Sequence, residues 1–347
     1  MVFLFDFSFL TMSTCPKSLS SFAASHIVLS ALDKTDIILS TLLLACSRIS
    51  YRELAQKLDL SANAVHRRIQ ALIDLGIIRR FTTQVSVSAL QAPMIFVYGK
   101  SEAESVNDLH KKLGKQGSIW WVALGGGNFI YVSAYLRNMS EIEPLVDFVK
   151  KEALLLNPSI GIIAPPPNNL SVKVEELLYP LDRQIIQSLS NDSRRTVADI
   201  ADEVGVAAKT VRRRLSAMNR KGLLEFSIQW YPDASDDIIT IMHIRLRPEA
   251  DKSNATNIMK SYFPRLLFCY QFINVPNELF GIAWTNTMKE LRDLQQRLTD
   301  ENVVSSIVSN ILYTGYIFDT WRNDLVKEKG APLIEEPVKK QKSSTKS

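Results

Sequence analysis

Cysteine is scarce in this chain: Cys15, Cys46 and Cys269 are the three in 347 residues. They lie far apart, so no disulfide framework and no C-x-x-C site follows, and a reducing, cytoplasmic setting is expected. Histidine is nearly as rare, at His26, His66, His110 and His243. No Ser-His-Asp set, metal-ligand cluster or phosphate loop appears, which points away from an enzyme and calls for no cofactor or metal. No run is long and apolar enough to span a bilayer, so no membrane partner is expected. The N-terminal MVFLFDFSFL is apolar but short, is interrupted by Asp6, and has no basic residues before it, unlike a secretory signal. An over-extended start is expected, with Met12 as the true first residue. A large excess of one charge is also missing. The net charge is +5, and residues 327–347, with six lysines and three glutamates, supply +3 of it. Any strongly basic surface must therefore be local.

What the chain does contain is a repeat. Residues 49–78, ISYRELAQKLDLSANAVHRRIQALIDLGII, read as helix, tight turn, helix and strand. Shifted by 146 positions they fall, without a gap, on RTVADIADEVGVAAKTVRRRLSAMNRKGLL at 195–224. Arg48/Arg194, Ala55/Ala201, Val65/Val211, Arg67/Arg213, Arg68/Arg214 and Gly76/Gly222 are among the identities. Apolar positions keep their class. This period is too long for a solenoid unit and indicates a duplicated domain.

A leading helix carries Ile37, Ile38, Leu39, Leu42 and Leu43, and its copy carries Ile185, Ile186 and Leu189. That spacing gives one buried stripe. Ser61 suits the N-cap of the third helix. In the copy, Gly205 suits a left-handed turn and Ala207 lacks the cap. Gly76 and Gly222 stand where a helix ends. Strands with a wing are expected at 77–88 and 223–232.

Each unit is followed by strand, helix, two strands, helix and strand, the split βαβ pattern. The first set is expected at 93–99, 103–115, 119–124, 129–136, 140–153 and 159–164. The second is expected at 238–247, 252–262, 265–273, 278–285, 287–299 and 303–318. The fold class is therefore α+β: two winged helix-turn-helix domains alternating with two ferredoxin-like (βαββαβ) sandwich domains. The expected boundaries are an extension at 1–31, with a short helix over 18–31; a winged domain at 32–88; a sandwich at 90–168 ending in the proline-rich linker 164–169; a winged domain at 176–232; a sandwich at 236–322; and a disordered basic tail at 323–347.

On a helical wheel Val65, Ile69 and Leu72 face the core, as do Val211, Leu215 and Met218. The outer face of the first copy carries Asn63, His66, Arg67 and Gln70, with Ser61 at its start and Asp74 at its end. The outer face of the second carries Lys209, Arg212, Arg213, Ser216 and Arg220, with Thr210 beside them. Arginine reads guanine and Asn or Gln reads adenine in the major groove, while Lys and Arg neutralise phosphates. A charged outer face is usually only solvated. Here the spacing, the turn and the duplication favour duplex DNA, with the second helix as the stronger phosphate binder. Because the two faces differ, an asymmetric or weakly palindromic site is expected. Arg68 and Arg214 sit at the edge of the apolar stripe, where a structural salt bridge or a phosphate contact fits better than base reading.

Leu32-Asp33-x-x-Asp36, the helix-turn-helix ending in Gly76-Ile77-Ile78, and the β-α-β-β-α-β region after it resemble the leucine-responsive regulatory (Lrp/AsnC) family. Leu181-Asp182-Arg183 opens the second unit, so the resemblance covers nearly all of 32–322 in a tandem, archaeal-like form. It implies a transcriptional regulator with a small effector, often an amino acid, bound between sandwich domains of associated subunits. It also implies self-association through those domains. The family's Gly-x-x-Asp pattern is Gly125-Gly126-Gly127-Asn128 here, making Gly125, Gly127 and Asn128 effector-binding candidates. The second copy, Val275-Pro276-Asn277-Glu278, lacks the glycine and is not expected to bind the same effector. The glycine stretch equally reads as an ordinary hairpin loop. Two alternatives remain. One is an enzyme similar to the haem-pathway decarboxylases built on the same fold. The other is a non-DNA-binding partner of related regulators that pairs through an exposed edge strand such as 238–247.

Overall fold

The computed structural model describes residues 31–163, 174–250 and 252–327. The expected helix at 18–31, the start at Met12 and the linker at 164–169 lie outside these residues.

The first unit holds α1 (Lys34–Ala45), α2 (Tyr51–Leu58), α3 (Ala62–Asp74), β1 (Ile78–Val85) and the short α4 (Val87–Leu90). Asp33 caps α1 and Ser50 caps α2, each in a reciprocal capping box that satisfies backbone donors at the helix start. The first sandwich follows with β2 (Met94–Lys100), α5 (Leu109–Leu113), β3 (Ile119–Gly125), β4 (Phe129–Tyr135), α6 (Ile142–Glu152) and β5 (Ser159–Ile163). The second unit starts with α7 (Val174–Leu177), then α8 (Pro180–Leu189), α9 (Val197–Val204), α10 (Ala208–Arg220) and β6 (Leu224–Trp230). Its sandwich holds β7 (Ile238–Leu246), α11 (Lys252–Tyr262), β8 (Leu266–Gln271), β9 (Glu278–Thr285), α12 (Met288–Thr299) and β10 (Val304–Ile317), and the short α13 (Trp321–Asp324) ends the described chain.

The helix expected over 103–115 shrinks to α5. Ser101 and Ser105 accept hydrogen bonds from the backbone N–H groups of Ala103 and Asn107. Such serine turns compete with a helix start. The part of the expected tail that is described, 323–327, is packed: Val326 is buried against the second winged unit, and the Leu325 carbonyl accepts from Arg183. The rest of that tail lies outside the described residues.

The two sandwiches form one eight-stranded sheet, ordered β5-β2-β4-β3-β10-β7-β9-β8. Each half keeps the 4-1-3-2 order of a ferredoxin-like domain. The halves join where β10 pairs with β3 on one side and β7 on the other. Strand alternation gives the sheet two apolar faces. Ile95, Val97, Val122, Ile130 and Val132 pack under α5 and α6. Met242, Ile244, Leu266 and Ala283 pack under α11 and α12. The other face of each half meets its counterpart in an aromatic seam, where Phe96 lies 4.7 Å from Phe280 and 5.9 Å from Phe272, ring centre to ring centre.

The far ends of the sheet also meet. Ile273 N–H donates to the Ile162 carbonyl at 2.8 Å, and the Asn274 side chain bonds both Ile160 O and Ile162 N. The sheet thus curls into a nearly closed barrel, which removes its edges. Strand β7, expected as an exposed edge at 238–247, lies between β9 and β10. The reason is the 4-1-3-2 order itself, which places the first strand of each half between its fourth and its third.

Candidate nucleic-acid interface

The strands expected to form wings do not fold back on their own unit. Instead β1 pairs antiparallel with β6, its equivalent in the other copy. Phe81 faces Ile228 and Thr82 faces Ser227, and each pair is the image of the other under the 146-residue shift. Arg80–Gln229 and Thr83–Phe226 are related in the same way. That register is what a local two-fold axis produces.

Further contacts obey the same axis. The hydroxyls of Ser47 and Ser193, equivalent residues, hydrogen-bond each other at 2.6 Å in the buried interior. Ser47 N–H donates to Phe226 O and Ser193 N–H to Phe81 O, both at 3.1 Å, the second acceptor standing one residue beyond the exact equivalent, Arg80. The Arg48 guanidinium donates to Arg195 O at 3.2 Å, and Arg194 returns the contact to Ile49 O at 2.9 Å. One chain therefore contains what a symmetric dimer would build from two. Sequence reasoning missed this interface, although Arg48/Arg194 stood among the repeat's identities and Ser47/Ser193 adjoin them at the same offset.

Both recognition helices are held by one repeated device. Arg68 donates to Asp36 at 2.7 Å and bridges Asp33 at 2.9 Å. Arg214 donates through Nε to Asp182 at 2.7 Å, makes a second bond to the same carboxylate, and lies over the Tyr179 ring. Asp182 is fully buried. Burial raises the Asp36 carboxyl above its ordinary value, and Arg68 pulls the other way. The edge arginines are thus salt-bridged to α1, with its cap, and to its equivalent α8. The bridges fix how α3 sits on α1 and α10 on α8.

The turns differ in chemistry but share a shape. Asp59 and its equivalent Gly205 both take left-handed backbone, with φ 53° and 73°. Only glycine does so without steric cost. Ser61 caps α3 by accepting from Ala64 N–H at 3.1 Å, whereas Ala207 gives α10 no side-chain cap. Gly76 and Gly222 end the helices at φ 74° and 65°.

Ser61, Asn63, His66, Arg67, Gln70, Lys209, Arg212, Arg213, Ser216 and Arg220 are all exposed, and Thr210 is half-buried. Two of them have neighbours that limit their reach. Gln70 donates to Asp74 at 2.9 Å, and the His66 ring stands edge-on to Tyr51 at 5.3 Å. Helix α10 shows four exposed cations, Lys209, Arg212, Arg213 and Arg220, where α3 shows Arg67 beside the exposed Asp74.

The glycine stretch lies elsewhere. Gly125 ends β3, where a Cβ would come 2.9 Å from the Asn310 side chain, so glycine there admits β10. Gly127 and Asn128 both have positive φ. The Asn128 amide donates to Ala103 O at 3.0 Å and its carbonyl accepts from Ser101. Nearby, His243 is held between Tyr131 at 3.1 Å and Glu278 at 2.9 Å. Its hydrogen bond keeps the Glu278 carboxyl below the ordinary range.

Comparison with known proteins agrees with this geometry. Residues 32–79 match a profile described as winged helix-turn-helix DNA-binding, and residues 180–219 match the AsnC-type helix-turn-helix domain. An HTH-type transcriptional regulator of Pyrococcus abyssi is 32% identical over 124 residues, which are 35% of this chain and 84% of that protein. The chain belongs to the Lrp/AsnC family of transcriptional regulators. The HTH-type transcriptional regulator LrpA of Pyrococcus horikoshii is 26% identical over 115 residues, 33% of this chain and 79% of LrpA. Each of these relatives thus matches about one third of this Lrp/AsnC chain, as a single-unit protein would match a tandem one. Among solved structures, the siroheme decarboxylase NirDL superposes with a TM-score of 0.52 over 85% of this chain and 98% of its own, at 13% identity. That likeness extends to the fold.

Proposed function

We propose that the chain is a cytoplasmic, sequence-specific regulator that grips duplex DNA with α3 and α10 as a built-in pseudo-dimer. The observation that carries this reading is the two-fold arrangement of two recognition helices with different outer faces. A local two-fold matches inverted half-sites on DNA. Unlike faces make those half-sites unlike, so the operator is weakly palindromic. Asn63, Arg67 and Gln70 are the base readers of the first half-site, with His66 and Ser61 beside them. Lys209, Thr210, Arg212, Arg213, Ser216 and Arg220 read and neutralise the second.

The contacts that separate subunits of a dimeric regulator would exchange are already made inside this chain, so DNA gripping by one chain requires no second copy. Association of further chains uses the outer surfaces. A small effector completes the reading. We assign the chain no catalytic role: its described histidines serve the α3 face, a ring stack on Tyr316 and the Tyr131–Glu278 link.

The test is a gel shift on a genomic operator fragment at several salt concentrations, with wild type and Arg212→Ala/Arg213→Ala. Removing two phosphate-range cations should flatten the slope of log affinity against log salt by about 1.8. An unchanged slope and affinity would sink the assignment of α10.

A further inference from the structure

A cavity of about 540 Å³ lies between the β1–β6 ribbon and the sheet. Pockets of roughly 300–1,000 Å³ with apolar walls and a few polar groups are the usual small-molecule sites. This one is separate from the glycine stretch: Gly125, Gly127 and Asn128 are not among its lining residues. One wall is the ribbon, from Glu225 to Tyr231 with Thr82 and Gln84. The opposite wall is aromatic, with Phe96, Trp120, Trp121, Tyr135, Phe268 and Tyr270.

Within this wall Trp120 stacks on Tyr135 at 5.5 Å with 17° between planes, and Phe268 on Tyr270 at 6.3 Å and 6°. A wall built mainly of aromatic rings suits an aromatic guest, which can stack on a ring or meet it edge to face.

The charged lining residues offer an anion little. Glu225, Asp233 and Asp319 line the cavity, and among its lining residues Arg322 is the cation. Arg322 is 3% exposed, and its guanidinium donates to Val85 O and Glu225. No uncommitted cation among the lining residues would meet a guest's carboxylate. The α-carboxylate of a free amino acid and the multiple carboxylates of a tetrapyrrole find no free cation among the lining residues, and a buried carboxylate without a charged partner carries a high desolvation cost.

We propose that this cavity binds a flat heteroaromatic molecule, neutral or cationic, and that its occupancy changes DNA affinity. The second clause rests on the DNA-binding reading above. The ribbon directly follows α3 and α10 in the chain, and it is fastened to the sheet on either side of the cavity. At one side Asp233, just after β6, accepts from the Thr314 hydroxyl and the Gly315 N–H of β10, each at 3.0 Å. At the other, Arg322 joins β1 to β6 through Val85 and Glu225. A guest in contact with both walls favours one spacing between them. A ligand shifts such an equilibrium by its difference in affinity for the two arrangements.

The test uses the full chain without DNA, with Nile red as the neutral flat probe and haemin as the anionic flat control. Nile red should bind saturably, one per chain, with energy transfer from the tryptophans, and more tightly than haemin. Leu312→Trp adds bulk to a half-buried lining position and should weaken Nile red about tenfold, or 1.4 kcal/mol, with an unchanged circular dichroism spectrum. Trp121→Phe should fold and should cut the energy transfer. Non-saturable binding, tighter haemin binding, or full affinity in a folded Leu312→Trp overturns the proposal. If Leu312→Trp does not fold, undiminished transfer in Trp121→Phe places the dye elsewhere and overturns it equally. Deleting residues 1–11 should leave Nile red affinity unchanged. A large gain would mean that the apolar N-terminal segment is the occupant, against the proposal. Saturating Nile red should then move the gel-shift midpoint; a fixed midpoint, with DNA binding itself intact, overturns the coupling while sparing the DNA-binding reading.

Discussion

The two winged units share one set of axial contacts where they face each other and carry mostly different side chains where they face away. Across the local axis, Ser47 meets Ser193, Arg48 donates to Arg195 O and Arg194 to Ile49 O, and β1 registers on β6 as its own image. On the outer faces, Asn63, His66, Gln70 and Asp74 stand where the copy has Lys209, Arg212, Ser216 and Arg220. After a duplication, Ser47 and Ser193 constrain each other, because changing one leaves the other buried without its partner. The ribbon, by contrast, is paired through its backbone and its side chains differ, as at Phe81/Ser227 and Thr82/Ile228. A residue on an outer face has no such tie. The difference therefore separates the parts that assemble the pseudo-dimer from the parts free to read different DNA.

The largest break expected between the copies concerns the arginine brackets. Asp182 is fully buried beneath Arg214, while Asp36 and Asp33 share the more exposed Arg68. Removing one partner of a buried ion pair leaves an uncompensated charge, at a cost of roughly 3–5 kcal/mol. Arg214→Ala should lose that much in urea unfolding. Arg68→Ala should lose about 1–2 kcal/mol, because its side chain is one-third exposed to solvent screening. Equal losses in the two variants would remove this asymmetry, and the two brackets would then be energetically alike.

A smaller effect sharpens the likeness across the axis. Ser47→Ala or Ser193→Ala should each cost about 1–3 kcal/mol, since each leaves one buried hydroxyl unpaired. The double variant should cost less than the sum of the two, because neither hydroxyl remains. Strict additivity in that cycle would mean that the two hydroxyls do not depend on each other.

Much of this was legible in the sequence, and the physical reason is local. Period and capping marked the helices, since Ser61 acts on a donor only three residues away. The edge position of Arg68 and Arg214 on the wheel was enough to suggest a structural bridge. What stayed hidden was pairing at long range. A strand of period-two residues such as β1 does not announce whether it will fold back as a wing or cross to its copy. The partners of β10 and the barrel's second seam at Ile162–Ile273 are likewise decided by tertiary geometry. The aromatic cavity was hidden for the same reason: Trp120, Phe226 and Phe268 are far apart in the chain and each alone reads as core.

The smallest expected effect bears on the turn that starts each recognition helix. Ser61 caps α3, and its equivalent Ala207 leaves the α10 start without a side-chain acceptor. Ala207 already has the extended backbone of a cap, with φ −64° and ψ 139°. A serine there needs no rearrangement to accept from a backbone N–H two or three residues on. Ala207→Ser should therefore stabilise the chain by about 1 kcal/mol. Ser61→Ala should lose a similar amount, and thermal unfolding of both variants checks the pair. The stabilised variant also carries a functional reading. The uncapped N–H groups at the start of α10 favour a nearby anion, as helix N-termini do for phosphate. If α10 uses them on DNA phosphate, Ala207→Ser should weaken DNA binding while it raises the melting temperature. A gain in both would mean that the missing cap is not used on DNA, and the two helix starts would then differ in stability alone.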